Sequence, residues 1–232
     1  MKVRLFLIPL FFFTMIAHAT TFDYRHEMND GSGPQKDRLL IINRFNNGFG
    51  LSLQGKWKGS KKDNKAYYET VSNGTEVIAS YLYKFNPNYS IESAFSLDSG
   101  SSFNSYRPYL RGKINFTDEL SYSLRYRPYY KRNSTDVGTN KKTHETGYHL
   151  TGVLSYKPLK NFTFDYEIEY RKVNSYGIIL GNKQNYDWSH DFKVSYAYNK
   201  IWTPYIAIGN IPGSKQTSER QTRYRFGLKY HF

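Results

Sequence analysis

Basic and aromatic side chains alternate in several stretches of this sequence, and their spacing could create an anion-binding surface. The final residues, QTRYRFGLKYHF, alternate Arg223, Arg225 and Lys229 with apolar or aromatic residues. Successive side chains of a β-strand point to opposite faces, so the basic residues would share one face and the aromatic residues the other. The stretches YRPYLRGKINF and SYSLRYRPYYK have the same arrangement. A row of guanidinium and ammonium groups on one face is suited to binding carboxylates.

Two-residue alternation recurs along the chain over stretches of about ten residues, which is typical of β-strands that cross a membrane. The predicted strands lie near residues 20–30, 36–45, 49–59, 75–85, 90–99, 106–116, 121–132, 147–157, 162–172, 186–198, 202–211 and 222–232. Short turns such as FNNGFG and FNPNYS alternate with longer polar stretches such as NSTDVGTNKKTHETG. Outer-membrane barrels have short periplasmic turns and longer extracellular loops. The sequence therefore predicts an all-β fold, a 12-stranded antiparallel transmembrane β-barrel of the outer-membrane type.

Composition and the N-terminus indicate the compartment. Lys2 and Arg4 precede the apolar run LFLIPLFFFTMIA, and Ala17-His18-Ala19 follows it. This pattern predicts a secretory signal peptide at residues 1–19, a barrel at residues 20–232 and a bacterial outer-membrane location. The chain carries a formal net charge of +14, is 18% aromatic and has no cysteine. The absence of cysteine excludes disulfides and thiolate metal sites. A soluble β-sandwich would also alternate, but it would not need so many outward aromatic residues.

Alternation divides the strands into a lipid-facing set and a lumen-facing set. With the apolar residues outward, strands 6 and 7 form one basic wall, and strand 12, with Arg25 of strand 1, forms another. In a closed ring of twelve strands, strand 6 lies opposite strand 12 and strand 7 opposite strand 1. The residues predicted to line a substrate path are Arg25, Arg38, Arg107, Tyr109, Arg111, Lys113, Arg125, Arg127, Tyr129, Arg223, Arg225 and Lys229.

Two interpretations of these inward charges remain open. Asp165, Glu167 and Glu169 also face inward on strand 9, so the interior could simply be balanced. Strands 6 and 7, however, carry no inward acid of their own, which favours an anion-selective path. Tyr109 and Tyr129 lie among the arginines, as a carbohydrate path would require, although an inward tyrosine can equally fill space.

Long stretches of the chain resemble one known family. They include FDYRHEMND, KDRLLIINRFNNGFGLS, VSNGTEVIASYLYKFN, YRPYLRGKINFTDELS, LRYRPYYKRNS and ERQTRYRFG. These stretches are similar to the oligogalacturonate-specific porins of the KdgM family, to which the sialic-acid channel NanC is a more distant relative. The resemblance covers essentially the whole chain after the signal peptide.

The resemblance implies a monomeric twelve-stranded barrel that passes acidic oligosaccharides from pectin breakdown by diffusion. It implies basic tracks at Arg107, Arg111, Lys113, Arg125, Arg127, Arg223 and Arg225. One departure is visible, because Leu40 and Ile42 face inward on strand 2 and are more apolar than a polar lumen requires.

Other functions receive weaker support from the residues. A barrel hydrolase would need a nucleophile beside a base, but His26, His149 and His190 are scattered over three strands, and no Gly-x-Ser-x-Gly occurs. These histidines also lack the spacing of metal ligands, so no metal or cofactor is expected. A barrel for adhesion or acidic-glycan binding could use loop residues such as Lys61, Lys62, Lys65, Lys131, Arg132, Lys141 and Lys142. Export makes nucleic acid an improbable partner, whereas outer-membrane lipid is expected to be one.

Overall fold

The structure, a computed structural model, describes residues 20–31, 35–59, 70–140 and 143–232. Its twelve strands are β1 Thr20–Asn29, β2 Lys36–Arg44, β3 Phe49–Lys58, β4 Val71–Lys84, β5 Tyr89–Gly100, β6 Phe103–Asn115, β7 Leu120–Asn133, β8 His144–Leu159, β9 Phe162–Val173, β10 Tyr186–Tyr196, β11 Trp202–Pro212 and β12 Arg220–His231. A short 3₁₀ turn, Ser134–Asp136, follows β7. No helix in the described part of the chain has the length and apolar character that a membrane crossing requires.

The strands form one closed ring in which each strand pairs antiparallel with the next. The ring closes between β1 and β12, where Phe22 lies opposite Tyr230 and Glu27 opposite Arg225. Closure gives each of the twelve described strands a neighbour on both sides, so that none presents an open edge to hydrocarbon, which could not satisfy its backbone groups. The predicted 12-stranded antiparallel barrel is confirmed.

The outer face of the ring is apolar and aromatic, and the inner face is polar. Tyr81, Phe95 and Tyr126 point outward and are 48–49% exposed. The inward carboxylates Glu92 and Asp191 are only 2% and 3% exposed. This distribution is the reverse of a soluble protein and suits a barrel whose outside meets lipid.

Five short turns lie at one end of the barrel, as predicted, and asparagine side chains shape several of them. In the turn before β5, Asn86 Oδ1 accepts hydrogen bonds from the backbone amides of Asn88 and Tyr89, at 2.9 and 2.8 Å. Asn199 makes the same bonds before β11, to Ile201 and Trp202, both at 2.8 Å. Such Asx turns stabilise tight connections between strands.

The two ends of the barrel chain meet at the short-turn end. The amide of Phe232 donates to the carbonyl of Thr20 at 3.0 Å. The ring of Phe232 contacts the rings of Phe22 and Tyr230, at centroid distances of 5.2 and 4.6 Å. The last residue therefore helps to close the β1–β12 seam.

Some predictions fall outside the described residues. They are the signal peptide at residues 1–19 and the loop lysines at 61, 62, 65, 141 and 142. The signal peptide therefore stays a prediction.

Candidate functional site

The two predicted basic walls line one cavity inside the barrel. This cavity has a volume of about 360 Å³, and Arg111 of β6 lines it together with Arg25, Arg38, Arg225 and Lys229 from β1, β2 and β12. Barrel closure explains the juxtaposition, because strands six places apart in a ring of twelve lie opposite each other. Arg111 of the β6–β7 wall thus shares a cavity with basic residues of the opposite wall, whereas Arg107, Arg125 and Arg127 do not line this cavity.

Toward the short turns, a second cavity of about 520 Å³ adjoins the first. Arg111 lines both cavities, and Lys113 lines the second. Lys113 also lines a third cavity, of about 430 Å³, among the turns. Basic side chains of β6 therefore follow a polar path from mid-barrel to the barrel end.

Glu92 of β5 holds two arginines by ion pairs. It is 2% exposed and accepts from Arg44 of β2 and from Arg111 of β6. The hydroxyl of Tyr109 donates to the same carboxylate at 3.3 Å. A buried carboxylate is stable only when cations and donors replace its hydration. Arg44 was not among the residues predicted to line the lumen.

Arg107, which precedes Arg111 on β6 and shares its inward face, is contacted by two carboxylates. Its Nη2 lies 3.0 Å from Glu76 Oε1 and 2.7 Å from Asp98 Oδ2. Asp98 also pairs with Lys56 of β3 at 2.5 Å. The carboxylates of β4 and β5 thus compensate the positive charge of β6, which has no inward acid of its own.

The opposite wall is also held by carboxylates. Arg223 and Arg225 of β12 both contact Asp191 of β10, Arg225 at 2.5 Å. Arg38 pairs with Asp23 at 2.7 Å. Arg25 lies 3.7 Å from Glu27, which also pairs with Lys36.

Three predicted cations differ from the others, because no carboxylate lies within 4.0 Å of them among the described residues. Lys113 has no polar partner in that part of the chain. Arg127 donates to His149 Nδ1 at 3.2 Å. Lys229 lies 5.7 Å from the centre of the Tyr205 ring. Arg125 is intermediate, at 4.0 Å from Glu169. Among the predicted path residues, these four cations have the fewest close contacts with protein carboxylates.

Two inward tyrosines lie over glycines of the neighbouring strand. A Cβ atom built on Gly147 would approach the Tyr129 ring to 2.7 Å, and one on Gly227 would approach Tyr205 to 2.1 Å. Their hydroxyls donate to carboxylates, that of Tyr129 to Glu145 at 2.7 Å and that of Tyr205 to Asp23 at 2.8 Å. The glycines make room for rings that lie along the wall. Tyr205 was not predicted, although the alternation of β11 points it inward.

The apolar residues Leu40 and Ile42 do face the lumen. Leu40 pairs with Asp23 and Gln54, and Ile42 pairs with Ser52, which itself pairs with Ile78. The inward apolar group is therefore a feature of the β2–β4 wall and not an error of register. Within the described ranges, no group of three or more His, Asp or Glu side chains is arranged to hold a metal ion.

Known proteins with similar sequences are porins and outer-membrane channels. The family of oligogalacturonate-specific porin proteins (KdgM) matches residues 13–232. The oligogalacturonate-specific porin KdgM of Dickeya dadantii (strain 3937) is 52% identical over 237 aligned positions, covering 100% of both chains. The N-acetylneuraminic acid outer membrane channel protein NanC of Escherichia coli (strain K12) is 23% identical, covering 93% of this chain and 92% of NanC.

Solved structures agree with this placement. A structure of KdgM porin in complex with disordered oligogalacturonate has 48% sequence identity and a TM-score of 0.69, covering 91% of this chain and 99% of that chain. A NanC porin structure has 18% identity and a TM-score of 0.77, covering 90% of this chain and 98% of that chain, and shows the same fold. Because the family match and the Dickeya relative both extend over nearly the whole sequence, this chain belongs to the KdgM family of oligogalacturonate-specific porins.

Proposed function

We propose that this chain is a passive outer-membrane channel for acidic oligosaccharides, and that oligogalacturonates are its substrates. The observation that carries the proposal is a cavity that Arg111 lines from one wall and Arg25, Arg38, Arg225 and Lys229 line from the other. Lys113 lines the adjoining cavity, and neither Lys113 nor Lys229 has a carboxylate within 4.0 Å among the described residues. The Dickeya relative, 52% identical over its full length, is an oligogalacturonate-specific porin.

The chemistry of the substrate fits this lumen. Each galacturonate unit carries one carboxylate on a sugar ring, so an oligomer presents negative charges at regular intervals. A guanidinium compensates part of the hydration that a carboxylate loses in a narrow pore, and it does so through two parallel hydrogen bonds. A cation that contacts no protein carboxylate can bind the carboxylate of one substrate unit, release it and then bind that of the next unit. The tyrosines along the wall offer flat surfaces for sugar rings.

Four further properties belong to the same proposal. The chain conducts and does not catalyse, in keeping with relatives that are porins and channels. It functions as a monomer, and the barrel of one chain encloses a lumen of its own. Its exposed aromatic outer face contacts lipid. A signal peptide at residues 1–19 directs its export.

Reconstitution into a planar bilayer tests the proposal. We expect ohmic conductance and, in a KCl gradient, a reversal potential that indicates chloride preference, since the unbalanced lumen charge is positive. Trigalacturonate added to one side should reduce the current, whereas the neutral maltotriose should not at the same concentration. A barrel without conductance would contradict the channel function and would favour adhesion through the basic loops.

A further inference from the structure

The tetrapeptide Tyr-Arg-Pro-Tyr occurs twice, at residues 106–109 in β6 and at residues 126–129 in β7. The two strands are neighbours, with Tyr106 opposite Tyr130 and Leu110 opposite Tyr126. Three residues lie between these pairs on each strand, so the two motifs lie side by side and run antiparallel. Pro108 stands opposite Pro128, and regular ladder pairing is interrupted there because proline has no N–H to donate.

This arrangement has local two-fold symmetry on the lumen wall. The prolines point outward, so the arginine and the second tyrosine of each motif point inward. Arg107 of the first copy stands across from Tyr129 of the second, and Tyr109 stands across from Arg127. By local sequence and by position, Arg107 and Arg127 are twins.

Their surroundings nevertheless differ in charge. Arg107 lies 3.0 Å from Glu76 and 2.7 Å from Asp98. Arg127 has no carboxylate within 4.0 Å in the described part of the chain. Its Nη2 lies 3.2 Å from Nδ1 of His149, which in turn lies 3.6 Å from Glu169 Oε2. The positive charge of Arg107 is therefore already compensated by protein, whereas that of Arg127 is available to an anion.

Two inward tyrosines neighbour Arg127 in the strand register, and both are held in place by other residues. Tyr129, next but one on β7, bonds Glu145 at 2.7 Å and meets the His149 ring edge-on at 5.7 Å. Tyr109, on the neighbouring strand, donates its hydroxyl to Glu92 at 3.3 Å, and the guanidinium of Arg125 lies 5.8 Å from its ring centre. Fixed rings beside a guanidinium that no protein carboxylate contacts match the two parts of a uronic acid, a sugar face and a carboxylate.

We propose that Arg127, flanked by Tyr109 and Tyr129, is the residue that binds the substrate carboxylate in this wall, and that its twin Arg107 is a structural counter-ion. The inference rests on the proposed function, because it names the subsite at which an acidic oligosaccharide is held. Arg127 binds one uronate carboxylate through both Nη atoms, and the rings align the sugar along the wall. The carboxylate of the next unit then displaces it as the oligomer advances.

The twin arginines supply a matched test in planar bilayers, with trigalacturonate as the probe. Arg127→Gln is expected to raise the concentration for half-block of the current about tenfold, the loss typical of a charge-assisted contact. The double change Glu76→Gln with Arg107→Gln removes one charge of each sign and leaves Asp98 paired with Lys56. It is expected to keep half-block within about twofold of the unmodified channel.

A third variant separates charge from geometry. Arg127→Lys keeps the charge but loses the planar fork. It is expected to retain chloride preference in KCl without sugar, yet to need at least about threefold more trigalacturonate for half-block. Heat-modifiable gel mobility establishes for each variant that the barrel is folded.

The outcomes distinguish this inference from the channel function itself. If the unmodified channel conducts but trigalacturonate does not block it, the proposed substrate class is wrong. If trigalacturonate blocks the unmodified channel and Arg127→Gln equally, or if the Glu76/Arg107 variant loses as much block as Arg127→Gln, the assignment of Arg127 is wrong. Unchanged half-block in Arg127→Lys would contradict the two-point contact.

Discussion

Replacing Glu92 with glutamine is expected to lower the free energy of unfolding of the barrel by about 3 to 5 kcal/mol, the usual cost of removing one partner from a buried ion pair. Glu92 is 2% exposed and compensates both Arg44 and Arg111. A neutral amide would leave two guanidinium groups close together without their counter-charge. Urea titration of the folded protein in detergent micelles, followed by gel mobility, measures the change.

Glu219 provides the control for this prediction. It lies exposed in the loop before β12, where its carboxylate accepts a bond from Thr217 Oγ1 at 3.1 Å. Glu219→Gln is expected to change the free energy of unfolding by less than about 0.5 kcal/mol. Equal unfolding midpoints for the Glu92 and Glu219 variants would show that the Arg44–Glu92–Arg111 cluster does not support the wall.

Exchanging Arg111, Arg127, Arg223 and Arg225 for serine together is expected to reverse the ion preference of the channel. The change removes four cations from two facing walls, and it also leaves Glu92 with one arginine fewer and Asp191 with neither of its arginine partners. The reversal potential in a KCl gradient should therefore move from chloride toward potassium preference. Growth on oligogalacturonate as sole carbon source should slow, while uptake of a neutral monosaccharide should not change.

Removal of surface charge provides the comparison. Lys160 and Lys200 are exposed in short turns outside the lumen, and their exchange for serine should leave the reversal potential nearly unchanged at 0.1 M salt, where screening acts within about 10 Å. If the four-arginine variant keeps full chloride preference and growth, the inward arginines serve only as counter-charges to the acids. The proposed route would then be wrong.

Local sequence was sufficient to predict the architecture. Two-residue alternation and turn residues act over a few positions, so all twelve strands could be placed before the structure was known. Strand ends were less accurate. β4 begins at Val71 instead of near residue 75, and β8 covers residues 144–159 instead of 147–157. Backbone pairing continues beyond the apolar stretch, because hydrogen bonds to a neighbouring strand do not depend on hydrophobicity.

The partners of the lumen charges could not be read from the sequence. Arg44 and Glu92 are 48 residues apart and come from strands that do not pair with each other. Arg107 and Arg127 are a clearer case, since both lie in Tyr-Arg-Pro-Tyr and only the strands beyond them decide which one is neutralised. Alternation predicts the face on which a side chain lies. Its counter-ion depends on which strands become neighbours in the closed barrel and on how far the side chains extend.

The chain is an outer-membrane porin of the KdgM family. We propose that its lumen favours acidic over neutral oligosaccharides. The most direct measurement is the rate at which trigalacturonate and maltotriose, two trisaccharides of similar size, enter liposomes that contain the purified barrel. Faster entry of trigalacturonate at low salt is expected, with a difference that shrinks as salt screens the walls. Equal rates, or faster entry of maltotriose, at low salt would contradict a channel selective for acidic sugars.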